Sequence, residues 1–207
     1  MIIKRFVLGM ASTNSYVVTN TDTKECVIVD IGAHSLVMEN YIKDNGYTLK
    51  GVLLTHGHFD HIMGLDGIVK SYDVPVYIYE DEMDMLKDPS LNASVSFGLN
   101  YAFGGKVNGL RDGEVFSIAG LEFKVIHTPG HTAGGCCYLI EDEKVLFSGD
   151  TLFRTSVGRS DLPTGSGSAL IRSIREKLME LPEDIKVYPG HMDSTTIGYE
   201  KKYNPFV

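Results

Sequence analysis

The sequence has little cysteine, and this scarcity argues against a fold held together by disulfide bonds. Only Cys26, Cys136 and Cys137 are present, an odd number without Cys-x-x-Cys spacing. All three lie in apolar, strand-like runs, where buried thiols are common. We therefore expect three reduced cysteines in the core.

Long apolar runs are also absent, which argues against a membrane-spanning helix. No segment approaches the roughly 18 apolar residues that such a helix needs. The first residues, MIIKRFVLGMASTNS, contain basic side chains but too short an apolar segment for a secretory signal. They are more typical of a first strand. We expect a cytoplasmic protein that has no membrane partner.

Positive charge is the third shortage. The formal net charge is −8, which disfavours a broad surface for nucleic acid because the phosphate backbone requires basic partners. With 207 residues and 43% hydrophobic content, the chain can bury a substantial core without disulfides. We therefore expect one globular domain over residues 1–207.

Strand and helix signals are both frequent, which indicates an α/β (α+β) protein. Strands are predicted at 16–18, 26–30, 51–54, 76–79, 122–126, 135–140, 144–148 and 185–188. Helices are predicted at 35–45, 62–72 and 166–181. Residues 88–110 are rich in Gly, Asn and Ser, and an ordinary packed connection is favoured there over a mobile flap.

The stretch GVLLTHGHFDHIMG, residues 51–64, contains three of the seven histidines. A polar surface loop or a group of hydrogen-bonded core histidines would be the simplest interpretations. Metal binding is the alternative, since His56 and His58 follow a strand end and both side chains can turn toward one ion. Asp60 and His61 are adjacent and begin the next predicted helix, so their side chains diverge. The four side chains are therefore easier to arrange around two ions than around one.

Three further motifs place polar residues at strand ends. TPGHT places His131 after one strand, LFSGDTLF places Asp150 after another, and KVYPGHMD places His191 after a third. A catalytic zinc takes about three protein ligands and a water. His56, His58 and His131 make one set, Asp60, His61 and His191 make a second, and Asp150 can bridge the two ions.

This ligand set favours metal binding over the simpler interpretations. A closed structural zinc site is disfavoured because the set contains no cysteine. Zinc is the favoured metal, although histidine and carboxylate ligands also suit iron and manganese. His34 and His127 stay outside the set: His34 is expected to be solvated, and His127 to pack or to form a hydrogen bond.

THGHFDH, TPGHT, SGDTLF and YPGH, in this order, resemble the motifs of the metallo-β-lactamase fold hydrolases. The resemblance implies a four-layer αββα sandwich of two similar halves, with the metals at one edge. It also implies that Asp30 supports the metal ligands. Two halves agree with a short internal echo between CVIVDIGA and VLFSGDTL, each an apolar strand that ends in Asp beside Gly.

Within this family, VGRSDLPTG and TTIGYEKKYNPF resemble the glyoxalase II group, the hydroxyacylglutathione hydrolases. The true β-lactamases and the flavo-diiron proteins are disfavoured, because their patterns differ at Asp150 and His58. RNA-processing members are disfavoured by the acidic balance. Only residues 192–207 follow His191, so we expect no counterpart of the helical domain that supplies basic glutathione contacts in that group. Arg159 lies where the group has a basic substrate contact, but an ion pair with Asp161 is favoured slightly more.

The resemblance implies a thioesterase in which a metal-bound hydroxide attacks the thioester carbonyl, with Asp60 or Asp150 orienting the hydroxide. A small-molecule thioester would be the substrate. A persulfide dioxygenase, with one iron on His56, His131 and Asp150, remains an alternative. A lactonase is another. A non-enzymatic binding module is disfavoured by the complete ligand set.

Overall fold

Two six-stranded β-sheets pack face to face in the computed structural model, which describes residues 1–207. The first sheet has its strands in chain order: β1 (Ile2–Leu8), β2 (Thr13–Thr19), β3 (Glu25–Val29), β4 (Thr48–Leu53), β5 (Val76–Tyr79) and β6 (Val107–Leu110). Strands β1 to β3 are antiparallel, and β3 to β6 are parallel. The carboxyl ends of β3 to β6 therefore meet at one edge of the sheet.

The second sheet is formed by the later part of the chain. Its six strands are β7 (Val115–Ile118), β8 (Leu121–His127), β9 (Cys136–Ile140), β10 (Val145–Gly149), β13 (Lys186–Pro189) and β14 (Thr195–Thr196). Between β10 and β13 in the chain, β11 (Leu152–Phe153) and β12 (Ser156–Val157) form a separate hairpin outside this sheet. The spatial order is β14-β13-β10-β9-β8-β7. Only β10 and β13 are parallel neighbours, so these two strands end side by side.

Helices cover the outer face of each sheet. They are α1 (Leu36–Asp44), α2 (Phe59–Ile62), α3 (Leu65–Tyr72), α4 (Gly167–Ser173) and α5 (Ile197–Tyr203). Ser35 begins α1 by accepting a hydrogen bond from the Met38 amide, and Ser166 begins α4 in the same way. Helix α4 continues as π-type turns over Ile174–Leu178. None of the helices has the length and apolar composition that a membrane crossing requires.

Three apolar clusters divide the molecule into layers. The first lies between the sheets and joins Val29 and Leu53 to Phe123 and Phe147. The second packs the first sheet against α1 and α3, and the third packs the second sheet against α4. Each sheet is thus buried on both faces over most of its strands, which confirms the predicted αββα sandwich.

The internal echo in the sequence corresponds to equivalent strands. Strand β3 lies between β2 and β4, and β10 lies between β9 and β13, so each is third in the order of its sheet. Both strands end in a left-handed backbone turn that carries or precedes a carboxylate. Asp30 itself has φ 53°, and Gly149, which directly precedes Asp150, has φ 47°. The two carboxylates therefore reach the same edge from opposite sheets.

Local details differ from the sequence-based prediction. The single helix expected over 62–72 is two helices, α2 and α3, separated at Gly64. Strands β6, β7, β11, β12 and β14 and helix α5 were not predicted, because each is a short element in a segment without clear periodicity. The start of the chain does form a strand, as expected.

Residues 88–110 form a packed connection, the interpretation that the sequence favoured. Asn92, Ala93, Ser94 and Phe103 are buried. The Asn92 carbonyl accepts a hydrogen bond from the Phe59 amide at 2.9 Å, which ties this connection to the segment that carries the clustered histidines.

Candidate metal centre

All seven predicted ligands lie at one edge of the sandwich, beyond the ends of four strands. His56, His58, Asp60 and His61 follow β4, while His131, Asp150 and His191 follow β8, β10 and β13 respectively. Gly190 permits this convergence, because a Cβ there would lie 2.2 Å from Asp150 Oδ1 and 2.6 Å from His61 Cε1. Any larger residue at position 190 would occupy the space between two of the side chains.

The first group consists of three buried histidines. His131 Nε2 lies 3.2 Å from His56 Nε2 and 2.8 Å from His58 Nδ1. Burial lowers the pKa of all three imidazoles, that of His58 to about 3. Three neutral imidazoles therefore direct ring nitrogens toward one point. This arrangement suits coordination of a divalent cation better than protonation of the rings.

The second group consists of Asp60, His61 and His191. His61 Nε2 lies 3.4 Å from His191 Nε2 and 3.6 Å from Asp60 Oδ2, and His191 Nε2 lies 3.3 Å from Asp60 Oδ2. Burial alone would raise the pKa of Asp60, but the charge of His61 and the hydrogen bond with His191 lower it to about 2. The Asp60 side chain is therefore a carboxylate at neutral pH.

Neighbouring carboxylates raise the pKa values of the two histidines of this second group. Burial alone would lower the pKa of His61, but the charges of Asp150 and Asp30 raise it well above its usual value. Burial would also lower the pKa of His191, whereas its hydrogen bonds with Asp150 and Asp60 raise it to about 9. The imidazole pKa values are thus lowered in the first group and raised in the second.

Asp150 lies between the two groups. Its Oδ2 is 3.5 Å from His131 Nε2 and 3.4 Å from His191 Nε2. Its Oδ1 lies 3.3 Å from His61 Nε2, without the angle of a hydrogen bond, and this buried oxygen has no hydrogen-bond partner. An unpartnered buried carboxylate oxygen among histidines fits a cation-binding position.

Hydrogen bonds from neighbouring groups orient several side chains of the cluster. Asp30 Oδ2 accepts from His61 Nδ1 at 2.9 Å, as the family resemblance implied for this residue. The Thr13 hydroxyl donates to Asp60 Oδ2 at 3.0 Å, and His131 Nδ1 donates to the Arg159 carbonyl at 2.7 Å. Such contacts select the ring nitrogen that faces an ion. His58 differs, because its Nε2 is buried without a partner.

Glu82 is a supporting residue that the sequence did not reveal. Its side chain is fully buried, and its two oxygens accept hydrogen bonds from the amides of Gly57 and Gly134, each at 2.7 Å. One carboxylate thus joins the loop of His56 and His58 to the loop of His131. The only signal was an acidic run, EDE at 80–82, which is more typical of a solvated turn.

The three remaining candidates lie outside the cluster. Arg159 forms two hydrogen bonds of 2.7 Å with Asp161, so the ion-pair interpretation of this residue is confirmed. His127 stacks on Tyr79, with centroids 4.2 Å apart, and bonds to a carbonyl, as predicted. His34 was expected to be solvated, but its half-exposed ring pairs with the Glu39 carboxylate at 2.7 Å, because the buried Glu39 needs a partner.

A cavity of about 400 Å³ opens directly on the cluster. His58, Asp60, His131, Asp150 and His191 line its floor. Apolar side chains border the opening: Met10, Phe97, Phe153, Leu162 and Met192. The size suits a small-molecule substrate, and the floor brings the ligand side chains to within reach of it.

Two curated bacterial proteins resemble the chain along most of its length. The probable metallo-hydrolase YqgX of Bacillus subtilis is 35% identical over 99% of this chain and 96% of its own length. The hydroxyacylglutathione hydrolase GloC of Haemophilus influenzae is 35% identical over 90% of this chain and 89% of its own length.

Two solved structures share the fold. BLEG-1 B3 metallo-beta-lactamase has a TM-score of 0.94 and 40% identity, and the match covers 99% of both chains. TTHA1623 in a di-iron-bound form has a TM-score of 0.88 and 33% identity, covering 99% of this chain and 100% of the other. The sequence family described as the metallo-beta-lactamase superfamily matches residues 8–191, which include all seven clustered side chains. The chain therefore belongs to the metallo-beta-lactamase superfamily.

Proposed function

We propose that the protein is a dinuclear metal-dependent hydrolase that cleaves thioesters, of the glyoxalase II type. Membership of the superfamily implies a metal-dependent hydrolase. The observation that carries the dinuclear proposal is the position of Asp150, whose two oxygens lie between two complete groups of ligands. His56, His58 and His131 would hold one ion, and Asp60, His61 and His191 the other.

The side chains of the cluster have distinct roles in this proposal. The two groups of side chains would hold divalent ions, and such ions would supply a nucleophilic hydroxide at neutral pH and stabilise negative charge on the carbonyl oxygen of the substrate. Asp150 would offer its carboxylate oxygens to both groups of ligands. Asp60, held by Thr13 at 3.0 Å, would orient the nucleophile by accepting a hydrogen bond from it. The cavity holds the scissile carbonyl above these groups.

Thioester cleavage is favoured over other hydrolyses by two observations. A relative at 35% identity is named a hydroxyacylglutathione hydrolase. Apart from the proposed metal ligands, no acidic or imidazole side chain lines the cavity, so no separate proton donor is available for a poor leaving group. A thiolate needs little protonation when it leaves, and it therefore suits this cavity.

A second candidate is β-lactam hydrolysis. The pattern at Asp150 disfavoured it in the sequence, but the 40% identity to the BLEG-1 B3 metallo-beta-lactamase favours it. Two assays on one metal-loaded preparation separate these activities. The first uses a panel of S-acyl thiols and detects the released thiol, and the second uses a chromogenic β-lactam. Faster turnover of the β-lactam than of every thioester would overturn the thioesterase proposal.

The number of ions distinguishes the dinuclear hydrolase from a dioxygenase with one iron. We expect elemental analysis of the protein purified without added metal to find about two ions per chain. His191→Ala removes a ligand of the second group only and should reduce the content to about one ion. His34→Ala, which changes a histidine outside the cluster, is the control and should retain two.

A contrary result is equally specific. About one iron per chain in the unaltered protein, the same content in His191→Ala, and oxygen-dependent persulfide oxidation would favour a dioxygenase that uses His56, His131 and Asp150. In that case Asp60 and His61 would only support the ligands through hydrogen bonds.

A further inference from the structure

Large apolar side chains surround the opening of the cavity although they lie at the molecular surface. Met10 is 67% exposed, Met192 is 58% exposed and Phe97 is 47% exposed. They come from three distant parts of the chain and border the same cavity. We call these three residues the apolar rim. Exposed apolar side chains gathered around a polar site are typical of a binding surface.

The backbone holds Met192 in its rim position. Met192 has φ 66°, a left-handed conformation that is unfavourable for a residue with a side chain. Its carbonyl accepts hydrogen bonds from Arg5 Nη1 at 3.0 Å and from Asn14 Nδ2 at 2.9 Å. These two bonds stabilise the unfavourable conformation directly after His191. Unfavourable backbone held in this way is concentrated at functional sites.

Packing holds Phe97 in its rim position. It ends the short 3-10 helix Ser94–Phe97, which left-handed residues flank on both sides, Ala93 at φ 66° and Gly98 at φ 75°. Its ring packs on the buried ring of Phe59, with centroids 5.0 Å apart. Because Phe59 directly follows His58, the position of Phe97 is tied to the cluster.

The cavity offers no free cationic side chain. Apart from the clustered histidines, Arg159 is the only basic residue that lines it, and the charge of Arg159 is paired with the Asp161 carboxylate through two hydrogen bonds. Arg5, behind Met192, is paired with Asp193 at 3.1 Å. A substrate carboxylate at the rim would lose water without gaining a protein partner, which is unfavourable.

We propose that the apolar rim selects thioesters whose thiol part is uncharged and apolar, and that it discriminates against anionic thiols such as glutathione. This inference rests on the proposed thioester hydrolysis and names its substrate class. The acyl carbonyl would lie at the cluster, and the thiol part would contact the methionine and phenylalanine side chains of the rim. Methionine is flexible and adapts to thiols of different shape.

The test compares thioesters that share one acyl group. S-lactoyl esters of benzyl mercaptan, of N-acetylcysteamine and of glutathione are assayed with the metal-loaded protein by thiol release. We expect kcat/KM for the benzyl ester to exceed that for the glutathione ester about tenfold, equivalent to about 1.4 kcal/mol. Isothermal titration with the S-propyl thioethers of the same thiols, which cannot be hydrolysed, should give the same order of affinity.

Two variants test the two parts of the argument. Phe97→Ser should lower kcat/KM for the benzyl ester several-fold more than kcat/KM for the glutathione ester. Asp161→Asn frees the Arg159 guanidinium and should raise kcat/KM for the glutathione ester several-fold without improving the benzyl ester. Asp142→Asn, in an exposed turn distant from the cavity, is the matched control and should change neither.

The possible failures are distinguishable. If the glutathione ester is turned over as well as or better than the benzyl ester, the selectivity proposal is wrong while thioester hydrolysis stands. If no thioester is hydrolysed by a protein that binds two ions, the proposed function is wrong and this inference fails with it.

Discussion

The buried carboxylate of Glu82 shows how one side chain can set the geometry of a site that it does not enter. It accepts hydrogen bonds from Gly57 and Gly134, which lie beside the ligands of two different loops. Without it, two buried amides would lack acceptors, and the two loops would lose their direct connection. Glu82 is therefore a positioning residue for the cluster.

Glu82→Gln should weaken metal binding about 10- to 100-fold, because an amide group can accept only one of the two hydrogen bonds. The affinity is measured by competition with a chromogenic chelator. Glu80→Gln is the matched control, since Glu80 lies in the same short 3-10 turn but pairs with the exposed Arg111. Equal affinities for the two variants would contradict a positioning role for Glu82.

The break between α2 and α3 positions Asp60 and His61, two of the proposed ligands. Helix α2 carries Asp60 and His61, and the chain must turn at Gly64 before α3 begins. A Cβ at position 64 would lie 2.4 Å from Ile31 Cγ1 and 2.7 Å from the carbonyl carbon of Ala33. Because Ile31 is fully buried, it has no room to move.

Gly64→Ala should therefore lower the free energy of unfolding by about 1–3 kcal/mol through overpacking. Chemical denaturation followed by circular dichroism measures this loss. Gly104→Ala is the control: its Cβ would meet no atom within 4 Å, and we expect a change within about 0.5 kcal/mol. A Gly64→Ala protein as stable as the control would show that the segment after β3 adapts more easily than its packing indicates.

Elements with strong local patterns were predicted from the sequence, and those without them were not. Strands β3, β4 and β10 are apolar runs that end at polar turns, and all three were expected. Strand β6 was missed because its sequence, VNGL, has low strand propensity, and its backbone is ordered by parallel pairing with β5. Tertiary pairing here outweighs local preference.

The charge distribution of the cluster predicts that metal binding at the two groups would release different numbers of protons. At pH 7.5 the raised pKa values of His61 and His191 leave both rings protonated when no metal is bound. Metal binding requires neutral imidazoles, so the second group should release up to about two protons. The lowered pKa values of His56, His58 and His131 mean that the first group should release almost none.

Affinity at the second group should therefore fall steeply as the pH drops from about 9 toward 6, whereas affinity at the first group should change little above pH 7. Calorimetric titration of chelator-stripped protein with zinc, repeated in buffers of different ionisation enthalpy, counts the protons released by each ion. In the His191→Ala protein, only the zinc-binding event that releases almost no protons should remain. Equal proton release for both ions would contradict the assignment of the two groups.

The residues of the cluster were predictable because each motif is local: an apolar strand ends, and a polar residue follows within a few positions. The acidic balance and the scarcity of cysteine are likewise properties of the chain alone. The support from Glu82 and the apolar rim required the folded structure. Those contacts join residues that are distant along the chain, and only the packing of two sheets at one edge brings them within hydrogen-bonding or van der Waals distance.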